Sequence, residues 1–321
     1  MKTRRDFLAS GIGAVLGAAM APDALAREKV SKGVSDVGQE GPLQIEKLEI
    51  RVGAAKPFRA LRFSDTHLTF MDVRDMLDAE DPKFASTRLE KRKARFPLSQ
   101  ASLVATLAYA RKQGLPLLNT GDLFDFRSDA NIACARRALE GLNVFSSLGN
   151  HEGFGEPLKA RNPKTADEGR ALRSVYEQAL GNSLLVDSRV IGGVKFIAFD
   201  NGGLHRWDLK KRRKRLEGAL SCDEPVVLMC HRPFGSTAVR DLALNRDGQK
   251  AKTPKKMTPW MMTEDDSADI FRIVRAHRSN VKAILCGHIH LERSWAGEWE
   301  GIPMFVGQAN CFGGVQEITF A

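Results

Sequence analysis

The chain has 321 residues, 43% hydrophobic and 27% charged, with a net charge of +10, which suits one large or two modest globular domains. No repeat or low-complexity tract interrupts it. Its five cysteines are few, odd in number and without metal-site spacing, so a disulfide framework or cysteine metal cage is not expected. The positive balance points to anionic partners and says nothing about fold.

The first 26 residues, "MKTRRDFLASGIGAVLGAAMAPDALA", differ in style from the rest of the chain. Arg4 and Arg5 precede a mildly apolar run from Gly11 to Ala21, and Ala24-Leu25-Ala26 ends it. That is the layout of a secretory signal, and the apolar run is well short of the ~20 residues needed to span a bilayer. "TRRDFL" resembles the signal read by the twin-arginine translocation machinery. The expectation is a leader at 1–26 and an exported, periplasmic or extracytoplasmic protein, with no transmembrane span in the mature chain. Residues 27–58 read as a polar linker and lead-in.

From there short apolar runs alternate with helical patterns. Strands are expected at residues 60–63, 115–119, 144–147, 194–199, 226–229 and 281–285, and helices at 98–113, 130–142, 167–180 and 267–277, where apolar spacing is near 3.6. Such alternation predicts a largely parallel sheet with helices outside. The tail, "RSWAGEWEGIPMFVGQANCFGGVQEITFA", reads as strand-turn-strand, an antiparallel close to one domain spanning 59–321.

Polar residues follow the apolar runs with regularity. "ALRF" leads into "SDTH", with Asp65 and His67. "LPLLNT" leads into "GDLFD", with Asp122 and Asp125, and "NVFSSL" into "GNHE", with Asn150, His151 and Glu152. "EPVVLM" is followed by His231 and "VKAIL" by "CGHIH", with His288 and His290. Ligands of open α/β sheets bind at the carboxyl ends of strands, where all five groups fall. They use five of the seven histidines; His205 and His277 remain. In extended backbone the two histidines of "GHIH" would leave one face roughly 6–7 Å apart, wide for one ion and suited to two. Asp, Asn and imidazole together fit divalent Mn, Fe or Zn better than an all-oxygen Mg or Ca site.

In this order, DxH, GDxxD, GNHE, a lone His and GHxH resemble the calcineurin-like metallophosphoesterases across roughly residues 61–320. The resemblance implies a metallo-dependent phosphatase fold, a four-layer α/β/β/α sandwich with two mixed sheets. It implies two divalent transition-metal ions. Asp65, His67 and His290 would hold one, Asn150, His231 and His288 the other, and Asp122 would bridge them. Metal-acidified water would attack the phosphorus of an anionic phosphoester. His151 would protonate the leaving alkoxide, with Asp125 orienting its imidazole. Arg127 resembles a phosphate-clamping arginine, displaced by the intervening Phe126; Arg232 is an equal candidate. Asp125 in the GDxxY slot removes the tyrosinate of purple acid phosphatases. The short tail lacks the large C-terminal domain of periplasmic nucleotidases.

Three basic runs lie near the expected rim: residues 88–95, 210–215 and 250–256. Each reads as a solvated face or as a capture surface for an anion. Trp260, Met261 and Met262 read as an apolar lip or a capped core cluster. Within hydrolysis, the short chain and GNHE favour a phosphodiester over a phosphomonoester. The competing reading is a non-catalytic or regulatory metal-dependent module that binds an anionic envelope polymer or nucleic acid. The intact His151 and Asp125 argue against it, since a pure binder needs no proton donor.

Overall fold

The computed structural model describes residues 34–154, 158, 162–245 and 260–321. The leader and the basic run 250–256 lie outside the described residues. The chain runs through β1 (Val34–Glu40), β2 (Leu43–Ile50) and β3 (Phe58–Phe63), then α1 (Val73–Leu77), α2 (Pro82–Arg95) and α3 (Ser99–Gln113). Next come β4 (Leu117–Asn119), α4 (Asp129–Leu139), β5 (Val144–Ser146) and α5 (Ala166–Leu180). A hairpin of β6 (Val186–Ile191) and β7 (Val194–Phe199) precedes α6 (Leu209–Leu220), β8 (Val226–Met229), α7 (Thr237–Asn245) and α8 (Glu264–Ala276). β9 (Val281–Leu291), β10 (Trp295–Trp299), β11 (Ile302–Gln308) and β12 (Gly314–Phe320) close the chain.

Local chemistry sets the element ends. Gly114, in the left-handed region at φ 63, stops α3 and returns its N–H to Ala110 and Arg111 carbonyls. A reciprocal Thr165–Glu168 capping box starts α5. Pro82 behind the Asp81 cap starts α2.

Two mixed six-stranded sheets result, ordered β1-β2-β12-β3-β4-β5 and β10-β11-β9-β8-β7-β6. Within the first, β3, β4 and β5 are parallel, and β12 runs antiparallel to β3. Within the second, β7, β8, β9 and β11 are parallel, with antiparallel partners at both edges. The sheets pack face to face over Ile50, Phe145, Phe196, Val227, Leu285, Phe305 and Phe320. Leu103, Leu107, Leu172 and Tyr176 cover the first sheet from α3 and α5. Leu216, Leu220, Ile270 and Val274 cover the second from α6 and α8. Helices, sheet, sheet and helices make the four-layer sandwich. Its parallel strands send their carboxyl ends to one edge, where the site lies.

The lead-in departs from expectation. Residues read as linker supply β1 and β2, and β2 joins the sheet beside β12. Its Leu43, Ile45, Leu48 and Ile50 are buried. The tail also does more than close on itself: β10 and β11 form the expected antiparallel hairpin, but β12 crosses to the other sheet. Among the described residues no helix is long and apolar enough to cross a membrane. All five cysteines are free.

Candidate metal centre

Four polar loops and the end of β9 converge at that edge. Asp65 and His67 follow β3, Asp122 and Asp125 follow β4, Asn150 and His151 follow β5, and His231 follows β8. His288 and His290 lie on β9 itself. These are not extended pairs. Asp65, His67, Asp122, His288 and His290 all hold left-handed backbone, at φ 55, 54, 53, 76 and 55. Single non-glycine residues rarely adopt that conformation, and it clusters where surrounding structure enforces a functional geometry. Glycines permit the close approach. A Cβ on Gly149 would stand 2.0 Å from Asp122 Oδ1, and one on Gly287 would stand 1.9 Å from Ser64 Oγ.

The geometry sorts the donors into three groups: two share the Asp122 carboxylate, and the third, His67, Asp125 and His151, lies beside them. Asp65, His67, Asp122 and His290 form the first, and Asp122, His231 and His288 the second. In the first, His67 Nε2 is 2.8 Å from His290 Nε2, and His290 Nε2 is 3.3 Å from Asp65 Oδ1. In the second, His231 Nε2 is 3.1 Å from His288 Nδ1 and 3.2 Å from Asn150 Oδ1. Asp122 Oδ2 lies between them, 3.7 Å from His67 Nε2 and 3.0 Å from His231 Nε2. Its other oxygen accepts the His151 backbone N–H at 2.9 Å.

Outer contacts fix the tautomers. His67 Nδ1 faces the Asp125 carboxylate at 2.8 Å, and His231 Nδ1 faces the Thr120 carbonyl at 2.9 Å. Both acceptors require Nδ1–H, which turns each Nε2 into the cluster. Phe96 stacks on the His67 ring at 4.3 Å and holds its plane.

This donor set fits divalent transition-metal ions. Buried Asp122 Oδ2 has no hydrogen-bond partner beyond its contact with His231 Nε2, and imidazole nitrogens face one another at hydrogen-bond distance. A cation answers both features. The charges agree. Burial opposes ionisation of Asp65, yet the hydrogen bond and charge of His290 hold its carboxyl well below the usual range. Burial likewise opposes ionisation of Asp122, and the His231 charge outweighs it. Burial lowers His67 to about 4, against the pull of Asp125. Burial would lower His231 too, but the Asp122 charge raises it to about 9.

His151 lies at the lip. Its Nδ1 donates to the Asp125 carbonyl at 2.7 Å, which leaves Nε2 for proton exchange. The Asp125 carboxylate is farther, 3.4 Å from the same nitrogen. The group that orients His151 is therefore the Asp125 main chain, while its side chain serves His67 and Arg92. Glu152 is a brace: its carboxylate accepts N–H groups from Gly149, Asp122 and Phe124. Burial, then the Asp122 charge, push its pKa up to about 8. The two candidate arginines separate. Arg127 gives its backbone N–H to Phe154, and its charge bears on Tyr176 and Glu168 of α5. Arg232 lines a cleft beside Asn150.

Several supporting residues carried no motif. Arg92, inside a basic run of α2, bonds both oxygens of Asp125. Asn201 Oδ1 accepts the backbone N–H of both His231 and Arg232. Met261 and Met262 belong to the second sheet's core, whereas half-buried Trp260 sits 6.2 Å from the His288 ring.

The profile of the calcineurin-like phosphoesterases matches residues 58–292. Among solved structures, a putative 5′-nucleotidase from Staphylococcus aureus is 13% identical, with a TM-score of 0.41 over 82% of this chain and 51% of that one. Phosphopantetheinyl hydrolase from Mycobacterium tuberculosis is 13% identical, with a TM-score of 0.42 over 79% and 90%. PhoD is 11% identical, with a TM-score of 0.40 over 84% and 60%. The chain thus spans about half the length of the nucleotidase. No curated protein matches it.

Proposed function

The chain belongs to the calcineurin-like phosphoesterase family, and from that premise we propose that it is an exported phosphoesterase working with two divalent transition-metal ions (Mn, Fe or Zn). The position of Asp122 carries the reading, with Oδ2 between His67 Nε2 at 3.7 Å and His231 Nε2 at 3.0 Å. Asp65, His67 and His290 would hold one ion and Asn150, His231 and His288 the other. When bound, the ions would supply a Lewis-acid grip on phosphoryl oxygens and an acidified water.

The residues do the rest. The Asp125 and Thr120 acceptors keep His67 and His231 in the ligating tautomer. His151, with Nδ1–H held by the Asp125 carbonyl, presents Nε2 to the leaving oxygen and delivers its proton. Arg232, which lines the cleft beside Asn150, would meet an anionic oxygen of the substrate. A binding module for an anionic polymer would need neither a positioned acid nor its carbonyl support.

The test is a screen of the mature chain with Mn²⁺ on bis-(p-nitrophenyl) phosphate and p-nitrophenyl phosphate. Metal-dependent release from either supports hydrolysis, and faster release from the diester supports the phosphodiesterase assignment. No release with Mn, Fe or Zn returns the chain to the binding reading. Export rests on Arg4, Arg5 and the short apolar run of the leader. Changing both arginines to lysine should leave unprocessed protein in the cytoplasm, and normal periplasmic yield would refute the twin-arginine assignment.

A further inference from the structure

A cleft of about 460 Å³ lies beside Asn150, lined by that residue, Phe154, Gly203, His205, Arg206 and Arg232 among others. That volume suits a small-molecule ligand. Asn150 is the residue the cleft shares with the second donor group, its Oδ1 3.2 Å from His231 Nε2. Three of its lining side chains are basic, and among the described residues no carboxylate lines it.

The loop that presents them is built for the purpose. Asp200, fully buried, accepts N–H groups of Gly202 at 2.7 Å and Gly203 at 3.1 Å. The same oxygen is 3.3 Å from His205 Nδ1, which turns His205 Nε2 away from the carboxylate. Arg212 Nη1 donates to the Asp200 carbonyl at 3.0 Å and fastens the loop to α6. Arg206 lies over the Trp207 ring at 4.6 Å, a cation–π contact that restricts its swing. The Arg232 guanidinium reaches the Gly202 carbonyl at 3.4 Å. Phe154, 47% exposed, forms an apolar rim and meets the His151 ring at 5.3 Å.

We propose that this cleft is a subsite for a second oxyanion on the same substrate, held by Arg206, Arg232 and His205 while the scissile phosphoryl group lies at the metal clusters. The proposal rests on the phosphoesterase reading and narrows its substrate class to esters bearing a further phosphate or carboxylate. Phe154 would cover the linking segment. Arginine forks match such oxyanions in paired hydrogen bonds, and the described lining carries no carboxylate to oppose that attraction.

Calorimetric titration of Mn²⁺-loaded protein with three inert ligands tests it: methylphosphonate, 3-phosphonopropionate and propane-1,3-diyl bisphosphonate. The second oxyanion should tighten binding about tenfold, the bisphosphonate if the partner group is phosphate and the phosphonocarboxylate if it is carboxylate. Arg206→Ala and His205→Gln should each cut that ratio by about fivefold; Arg206 is exposed, so its loss leaves the fold alone. Equal affinity for all three ligands, or a ratio unmoved in both variants, overturns the subsite. Turnover of bis-(p-nitrophenyl) phosphate and of p-nitrophenyl phosphate by the same samples separates the two claims. Turnover without a second-oxyanion preference sinks the subsite alone, whereas preference without turnover upholds the subsite and sinks hydrolysis.

Discussion

Arg92 grips both oxygens of Asp125, and Asp125 in turn accepts the Nδ1 proton of His67 at 2.8 Å. Burial opposes the charge on Asp125, but the Arg92 and His67 bonds hold its carboxyl well below the usual range. Arg92 also lies over Phe96 at 4.9 Å, and Phe96 stacks on His67. One α2 arginine thus fixes a ligand from two sides. Arg92→Gln should weaken metal binding about 10–100-fold, the usual cost of losing such outer support. Arg92→Lys should recover part of it. Mn²⁺ titration of the three proteins decides; unchanged affinity in Arg92→Gln would return the residue to a solvated face.

Asp122 is shared by both donor groups, so its loss should be felt by both ions. Elemental analysis of protein purified without chelator should give about two ions per chain, and Asp122→Ala should fall below one. Asp65→Ala, confined to the first group, should retain more metal than Asp122→Ala. Equal loss in the two variants would contradict the bridging role.

The outer basic run of α6 is not uniform. Arg212 is 1% exposed and donates to the Asp200 carbonyl, while Arg213 and Lys214 face solvent. Arg212→Ala should cost about 2 kcal/mol or more, since it leaves a buried carbonyl without that donor. Arg213→Ala and Lys214→Ala should stay within about 0.5 kcal/mol of wild type. Urea unfolding midpoints report the difference. A capture surface read from the run as a whole would be tested wrongly by neutralising all six residues, because the loss of Arg212 adds a stability cost of its own.

This contrast marks where the sequence was legible. Ligand loops announced themselves because buried strands end at a common edge, and each must there switch abruptly from apolar to polar. Gly149 and Gly287 belong to that signal, for a side chain at either would strike a neighbouring loop. The strand β2 was written in the apolar pairs Leu43/Ile45 and Leu48/Ile50, yet its polar surroundings read as linker. Helices α2 and α6 were hidden by their lysines and arginines, which leave few apolar residues to show a 3.6 period. Arg92 and Arg212 looked like their neighbours, since their partners Asp125 and Asp200 are distant in sequence. The extended reading of "GHIH" failed for another reason: left-handed backbone at His288 and His290 is imposed by the site and has no local signature in those residues.

His151 gives the sharpest test of mechanism. It adjoins Asn150, yet its ring is held by the Asp125 carbonyl at 2.7 Å and lies outside both Asp122-sharing groups. His151→Gln should therefore keep the metal content of wild type. A general acid contributes about 10²–10⁴-fold, and most where the leaving group is poor. The variant should lose about that much kcat on an alkyl phosphate ester. On a p-nitrophenyl ester, whose phenolate departs without a proton, the loss should be much smaller. His231→Gln should behave differently, shedding metal and failing on both esters, because His231 Nε2 is 3.0 Å from Asp122 Oδ2 inside the cluster. Measuring metal content and both turnover rates on the two variants separates acid from ligand. Metal loss in His151→Gln, or equal damage on both leaving groups, would show that its proton is not the one delivered to the departing oxygen.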